Sequence, residues 1–443
     1  MELRNILILG AGRSASRLIS YLVEQAKRYS WQVTVGDLSV EAAQRQVNGT
    51  LGKAIQFNIQ NLEPSRMAIQ QADVVISLLP AHFHIQVARL CLQEKKHLLT
   101  ASYVSDEMKQ LDTEARSQKL LFLNECGLDP GIDHMSAKQV MDRIKNQGGT
   151  LTSFESYTGG LIAPQSDPGN PWRYKFTWNP RNVVMAGQGT ARFLQDGHYK
   201  YIPYQQLFNR TVSISVPGQG EFEGYANRDS LKYLETYGLH GIKTLVRGTL
   251  RFAGFCKTWN ILVQLGCCDD TYEMDNVAGM THRDFLDSFL PAQPGSVSEK
   301  VRSLFGLSND SPELNRLEWS GFFSQEKVML DTGTPAQITE HILNKKWHMI
   351  PGNQDYIVMW HRFRYTIDQQ EKEVQAWLTA TGEDAINTAM AKTVGLPLAI
   401  AAKLLLLQKV SVTGVIIPVV PDLYNPILKE LSELGIALNE QQT

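Results

Sequence analysis

Cysteine is scarce in this chain of 443 residues, and its placement excludes the structures that depend on it. Only Cys91, Cys126, Cys256, Cys267 and Cys268 occur, with no Cys-x-x-Cys, and the adjacent pair is poorly spaced to chelate one ion. A disulfide scaffold and a structural zinc site are therefore not expected, metal ligands are assigned to none of the residues, and reduced thiols point to a cytoplasmic protein. Neither sign of charge dominates. With 43 basic and 45 acidic side chains, a net charge of −2 and no clustered basic face, the chain lacks a nucleic-acid surface. Long apolar runs are also missing: residues 394–407 carry Pro397 and Lys403 and fall short of a bilayer span, and the first residues lack the basic and then apolar regions of a signal peptide, so no membrane partner is expected. There is no internal repeat. The length suffices for two or three domains with ample core.

What the chain does have begins at once. Residues 6–9 are apolar and run into Gly10-x-Gly12-x-x-Ala15, followed by an amphipathic helix beginning near Arg13 with Leu18, Ile19, Leu22 and Val23 on one side. Gly10 permits the tight turn out of a strand, Gly12 lets a pyrophosphate approach the backbone, and Ala15 lets the helix sit close on the sheet. The helix start directs unpaired N–H groups and a positive dipole end at phosphates. A second strand over 31–35 ends at Asp37, at the distance expected of the acid that binds the adenosine ribose. A carboxylate there accepts from both ribose hydroxyls and repels a 2′-phosphate, which favours NAD over NADP. Alternatively, Asp37 only helps start a helix capped by Ser39. Arg13 keeps NADP possible, because its guanidinium can pair with a 2′-phosphate as well as with the pyrophosphate.

Strand and helix then take turns: strand 54–58, helix 64–71, strand 73–79, helix 84–93, strand 97–101, helix 106–118, strand 120–124. The alternation predicts an α/β protein with a Rossmann-type, doubly wound parallel sheet over 1–130, its ligand beyond the C-terminal strand ends. Leu79, Ala101 and Ser102, at loop starts, thus join Gly10, Gly12, Arg13, Ser14, Ala15 and Asp37 as expected cofactor contacts. From about Gly148 the texture becomes β-rich, with strands expected over 150–158, 174–178, 212–216, 246–265, 319–330, 356–366 and 371–380. This is read as a second, α+β domain over 131–382 with a mixed or antiparallel sheet, which carries substrate and dimer contacts. The Gly- and Pro-rich stretch 159–171 is either a connection or a wall over the cofactor. An Ala-rich apolar helix over 383–408 opens a C-terminal segment, 383–443, that returns to the nucleotide domain.

The chemically dense stretch is Asn124-Glu-Cys-Gly-Leu-Asp129-Pro130-Gly131-Ile-Asp133-His134, at the cofactor edge. Asp129 is read as functional, against the alternative that Asp-Pro-Gly only makes a turn; Asp133 is read as a cap for a helix starting at His134. Thr100-Ala101-Ser102-Tyr103 offers a hydroxyl and a phenol, the alternative being a buried, satisfied tyrosine. Arg228, in Asn227-Arg-Asp-Ser, and Arg247, beside Gly248 and Thr249, are either solvated surface groups or bidentate carboxylate clamps.

These runs, with Gly-Gly-Leu-Ile-Ala-Pro, Tyr-Lys-Phe-Thr-Trp, Val-Arg-Gly-Thr-Leu-Arg and the stretch 352–361, resemble the glutamate-forming saccharopine dehydrogenases over nearly the whole chain, in order. The resemblance implies interconversion of saccharopine with L-glutamate and 2-aminoadipate 6-semialdehyde by hydride transfer with a nicotinamide cofactor. It implies cofactor contacts at Gly12 to Ala15, Leu128, Asp129, Pro130 and Trp178, and substrate contacts at Ser102, Tyr103, Asp129, Arg228, Arg247, Gly248 and Thr249. Asp129 is the expected group to orient or deprotonate the amine, with Tyr103 assisting, and a homodimer is expected. The chain departs from the NADP-using fungal members, which place an arginine where it has Gly36-Asp37 and have Thr-Thr-Ser-Tyr where it has Thr100-Ala101-Ser102-Tyr103. Other readings are a related amine dehydrogenase, of carboxynorspermidine or lysine 6-dehydrogenase type, and a non-catalytic NAD-binding sensor.

Overall fold

A computed structural model describes residues 3–442; Met1, Glu2 and Thr443, which the expected domains 1–130 and 383–443 include, lie outside the described residues. The chain forms two compact units, one of residues 1–150 and 378–439, the other of residues 151–377 and 440–443.

In the first unit, strand and helix alternate from β1 (Asn5–Leu9), α1 (Ser16–Tyr29), β2 (Gln32–Asp37), α2 (Val40–Val47), β3 (Lys53–Gln56) and α3 (Leu62–Gln70) onward. They continue through β4 (Val74–Ser77), α4 (His84–Gln93), β5 (His97–Thr100), α5 (Asp106–Lys109), α6 (Asp112–Ser117), β6 (Leu121–Leu123) and α7 (Ile132–Asn146). Ile6 to Leu9, Val74 to Ile76 and Leu98 to Leu99 are buried without alternation, as strands covered on both faces must be. Every pairing is parallel, and β1 lies between β2 and β4, which puts the reversal of strand order beside the glycine loop.

The expected six strands are seven. Strand Gly414–Ile416 pairs with β6, so the order is that strand, β6, β5, β4, β1, β2, β3. The returning helix begins at Ala389 rather than near 383, because the Asp384 carboxylate accepts from the Ile386 and Asn387 amides (2.7 and 2.6 Å) and holds 384–387 as a turn, after which Thr388 caps the helix. This helix, Ala389–Leu406, has the length and apolarity to cross a membrane, contrary to the expectation for 394–407, although two-thirds of it is buried within the protein. It packs on α1 so closely that a Cβ on Gly395 would lie 2.9 Å from Leu18 Cβ and 3.3 Å from Ser14 O.

Other elements differ from expectation for local reasons. Helix α1 starts at Ser16, not at Arg13, because residues 12–15 form a turn in which Ala15 N–H donates to Gly12 O. The expected helix 106–118 is two pieces, α5 and α6, separated by a turn in which Leu111 N–H bonds Met108 O. Helix α7, assigned from sequence to the second domain, belongs to the first unit.

The second unit is built on a nine-stranded mixed sheet. Its strands are β7 (Thr150–Ile162), β8 (Ala191–Gln195), β9 (His198–Ile202), β10 (Val212–Val216), β11 (Gly220–Ala226), β12 (Thr244–Phe252), β13 (Asp355–Ile367) and β14 (Gln370–Thr381), closed by β16 (Asn439–Gln442), with Gly414–Ile416 numbered β15. The order is β10, β11, β12, β7, β13, β14, β16, and β8 joins β12 to β9. The expected strand 246–265 ends at Phe252: Gly254, at φ 89°, turns the chain, and the apolar run continues as helix Phe255–Leu265. The expected strand 319–330 is the end of helix Pro312–Trp319 followed by turns at Gly321, and 174–178 is irregular chain bonded through Phe176 N–H to Trp347 O. Gly159 to Ile162 lie inside β7, not in a loop.

Gly395→Val should lower stability by about 1–3 kcal/mol in urea titration, as overpacking at a helix contact does, and should weaken dinucleotide binding because Ser14 carries part of the strain.

Candidate active site

One candidate site lies where the parallel strands of the first unit end. Gly10 takes φ 104°, and a Cβ there would come within 3.0 Å of Leu78 O. At Gly12 the corresponding position has no protein atom within 4 Å, so the loop surface is open where a pyrophosphate would lie. Ala15 is buried under α1, whose first turn carries no acidic side chain to neutralise its dipole. Arg13 is exposed and Ser14 half-buried at the same turn. Asp37 accepts from Ala11 N–H at 2.7 Å and from Ser39 N–H at 3.0 Å, while Ser39 caps α2. The carboxylate thus fills the second of its two expected roles, at the start of α2, and also anchors the glycine loop. Half-buried Leu79 and Ala101 follow β4 and β5 at this edge. An open glycine cradle, an unneutralised helix start and a carboxylate at the end of β2 fit a dinucleotide.

Ser102 and Tyr103 are half-buried on the loop after β5. That loop is pinned by two sets of bonds. Ser102 Oγ lies 2.7 Å from His84 Nε2, and His84 Nδ1 lies 2.9 Å from Ser77 Oγ. The Glu125 N–H donates to Ser102 O at 3.0 Å, while Glu125 Oε1 accepts from Val104 N–H and Oε2 lies 2.9 Å from His134 Nε2. Burial pushes the His84 imidazole down to about 4, helped by nearby His82, so it is neutral at physiological pH.

After β6 the chain folds back on itself. Gly127 N–H donates to Pro130 O, and Ile132 N–H returns to Gly127 O. Gly131, at φ 148°, passes so near that a Cβ would fall 2.0 Å from Gly127 O, which leaves no alternative to glycine. Leu128 and Pro130 are buried and Asp129, joined to Pro130 by a cis peptide, is half-buried at the apex. Helix α7 starts at Ile132 rather than His134; Asp133 accepts from Gly131 N–H at 2.6 Å, and so holds the turn as well as the helix start. The Cys126 thiol is fully buried and pushed well up by burial, so it is a protonated packing group.

The second unit carries the arginines. Arg247 is 7% exposed on β12, its guanidinium carbon 4.2 Å from the centre of the Tyr233 ring. Arg228 is exposed, at φ 48° in the turn after β11. On β12 the side chains of Arg247, Thr249 and Arg251 share one sheet face. Tyr225 stands opposite Thr249 across the strands and hydrogen bonds it, and Thr158 lies beside Thr249 on β7. Gly248 faces the other way, where a Cβ would lie 2.2 Å from the Tyr157 ring, so its requirement is packing. Trp178 is half-buried and turns its indole toward the Tyr174 hydroxyl. Burial pushes Tyr174 up to about 12.

Four groups at these sites escaped the sequence reading. Arg251 is 5% exposed, packed against the rings of Tyr174, Phe255 and Tyr225, with no partner for its Nε. The Thr158 hydroxyl on the same face is also buried without a partner, so this face retains hydrogen-bonding capacity for a polar ligand. Strand alternation from Arg247 points to Arg251. Nothing local marked His84 or Glu125, because both act across several strands.

This fold and glycine loop define a protein of the doubly wound, dinucleotide-binding class. The chain belongs to the saccharopine dehydrogenase family: residues 6–123 match the saccharopine dehydrogenase NADP binding domain and residues 127–436 the saccharopine dehydrogenase C-terminal domain. It is 34% identical to the mitochondrial alpha-aminoadipic semialdehyde synthase of Rattus norvegicus over 99% of its length but 48% of that protein's, and so spans about half the length of that relative. It is 30% identical to the saccharopine dehydrogenase [NADP(+), L-glutamate-forming] of Schizosaccharomyces pombe over 99% of this chain and 98% of that one. The apo saccharopine dehydrogenase (L-Glu forming) of Saccharomyces cerevisiae superposes with a TM-score of 0.89 at 29% identity, covering 99% of this chain and 100% of that one.

Gly12→Ala should leave the melting temperature unchanged, since the added methyl meets open space, yet raise the dissociation constant for NADH at least about tenfold, the equivalent of 1.4 kcal/mol. Fluorescence titration of NADH alongside thermal unfolding checks both halves.

Proposed function

We propose that this chain oxidises saccharopine to L-glutamate and 2-aminoadipate 6-semialdehyde, with NAD as the hydride acceptor. The observation that carries this reading is the buried Arg247 guanidinium on one sheet face with Thr249 and Tyr225, in a chain matched end to end by fungal enzymes named for that reaction. Saccharopine has three carboxylates, and a near-neutral protein must meet them with local cations; Arg247 and Arg228 are assigned to this task.

The chemistry asks little else of the protein. The secondary ammonium must lose a proton before the adjacent C–H can leave as hydride; Asp129, half-buried at its apex, is assigned as the acceptor, with the Tyr103 phenol hydrogen bonding the amine. The dinucleotide, when bound, accepts the hydride. Water adds to the resulting substrate imine, and loss of the amine releases glutamate and the aldehyde. Saccharopine, the oxidised cofactor and water thus give glutamate, semialdehyde, reduced cofactor and a proton. Glycine-loop amides and the start of α1 hold the pyrophosphate, and Trp178 is assigned to the cofactor.

The family-model description and the fungal names favour NADP. What supports NAD in this chain is Asp37, whose carboxylate is held by the Ala11 and Ser39 amides at the end of β2, where a 2′-phosphate would meet its charge. Five buried, free cysteines support a reducing compartment such as the cytoplasm.

Saccharopine mixed with each oxidised cofactor should generate reduced nicotinamide absorbance, faster with NAD. Arg247→Leu should raise the KM for saccharopine about 10- to 100-fold, the range of a lost charge-assisted pair, at unchanged NADH affinity; an unaltered KM would remove the clamp. Asp37→Ala should raise use of NADP relative to NAD about tenfold, and a wild-type preference for NADP would overturn the assignment of Asp37.

A further inference from the structure

His84 opens α4, the helix that crosses from β4 to β5, and its ring lies beneath the loop that carries Ser102 and Tyr103. Its environment is specific. Nδ1 faces Ser77 Oγ at 2.9 Å, and Nε2 faces two oxygens, Ser102 Oγ at 2.7 Å and Thr100 Oγ1 at 3.4 Å. His84 and Ser77 are buried, whereas Ser102 is half-buried and forms the outer end of the row.

A neutral imidazole has one donor and one acceptor, so the row has a direction. If Nε2 were the acceptor, its single lone pair could serve only one of the two hydroxyls facing it. The Ser77 hydroxyl, fully buried, has Nδ1 as its partner and donates into it, which places the ring proton on Nε2, where it is donated to Ser102 Oγ at 2.7 Å and reaches Thr100 Oγ1 only at 3.4 Å. In this arrangement Ser102 Oγ receives a bond from below and keeps its own proton. The backbone of Ser102 is already committed, its N–H to Thr100 Oγ1 at 3.2 Å and its carbonyl to Glu125 N–H at 3.0 Å. The hydroxyl proton is therefore left to point outward.

We propose that His84 is a positioning residue: held by Ser77, its Nε2–H fixes Ser102 Oγ as an acceptor and so presents the Ser102 hydroxyl proton as a donor to a carboxylate or amine of the substrate. This rests on reading Ser102 as a substrate contact. Burial of the ring keeps it neutral and preserves the direction of the row across the working pH range. A histidine that only filled space would not need polar partners on both nitrogens from two successive strands.

The test is a double-mutant cycle with His84→Ala, Ser102→Ala and the pair, measuring kcat and KM for saccharopine and the dissociation constant for NADH. Each single change should raise KM about tenfold with kcat less affected, and the double variant should match either single within about twofold, because His84 acts through Ser102. His84→Gln, whose amide reaches toward Ser102, should recover much of the loss. Effects that multiply in the double variant, or a His84→Ala protein with weakened NADH binding and normal KM, would overturn the proposal while leaving the function standing. Failure of the wild-type protein to oxidise saccharopine would instead bring down the function, and the role of His84 with it. If His84→Ala does not fold, the cycle is run with His84→Asn, whose shorter amide does not reach Ser102, against Ser102→Ala; effects that multiply in that pair would equally overturn the proposal.

Discussion

The first unit depends on seven strands lying parallel, the central ones buried on both faces, so that every strand releases its chain at the same edge. The glycine loop, Asp37, the Ser102 loop and the Asp129 apex are far apart in sequence, and they share an edge only because no strand is reversed. Burial of the strand ends then requires the loops to satisfy one another. Glu125 shows this most clearly: its amide holds Ser102 and its two carboxylate oxygens hold Val104 and His134, so one side chain ties the loop after β5 to α7. Gly131 completes the edge, because only a residue without a Cβ can pass Gly127 at that distance and return the chain into α7.

Much of this was legible in the chain, and the reasons differ by element. The βαβ order and the loop at Gly10 were readable because both rest on local rules, periodicity and the steric needs of a turn. Where apolar residues continued through a change of structure, as across Gly254, composition alone misled, and a single positive φ decided the outcome. The seventh strand was missed because Gly414–Ile416 is three residues long and gains its identity from pairing with β6. Arg247 was found by type and neighbours, but its burial under Tyr233 comes from tertiary packing. His84 lay outside reach altogether, since its meaning arises from serines seven residues before and eighteen after it.

The two units handle charge differently. The first holds its carboxylates with backbone amides, as at Asp37 and Asp133, and leaves a helix start unneutralised. The second holds its guanidinium groups against aromatic rings, Arg247 on Tyr233 and Arg251 among Tyr174, Phe255 and Tyr225. Rings lower the cost of desolvating a cation without consuming its N–H donors, and at Arg251 the buried Nε keeps its donor for a ligand.

The pairing of β15 with β6 has a consequence for how the protein is made. Residues 378–439 complete a unit whose other residues, 1–150, emerge from the ribosome first, and the whole second unit up to residue 377 is translated in between. During that interval the sheet exposes an unpaired edge at β6, and α1 lacks the helix that later covers it. Nascent chains of this protein therefore pass through a stage in which a nearly finished nucleotide fold waits for its final pieces, and that stage is where chaperone capture and aggregation would act.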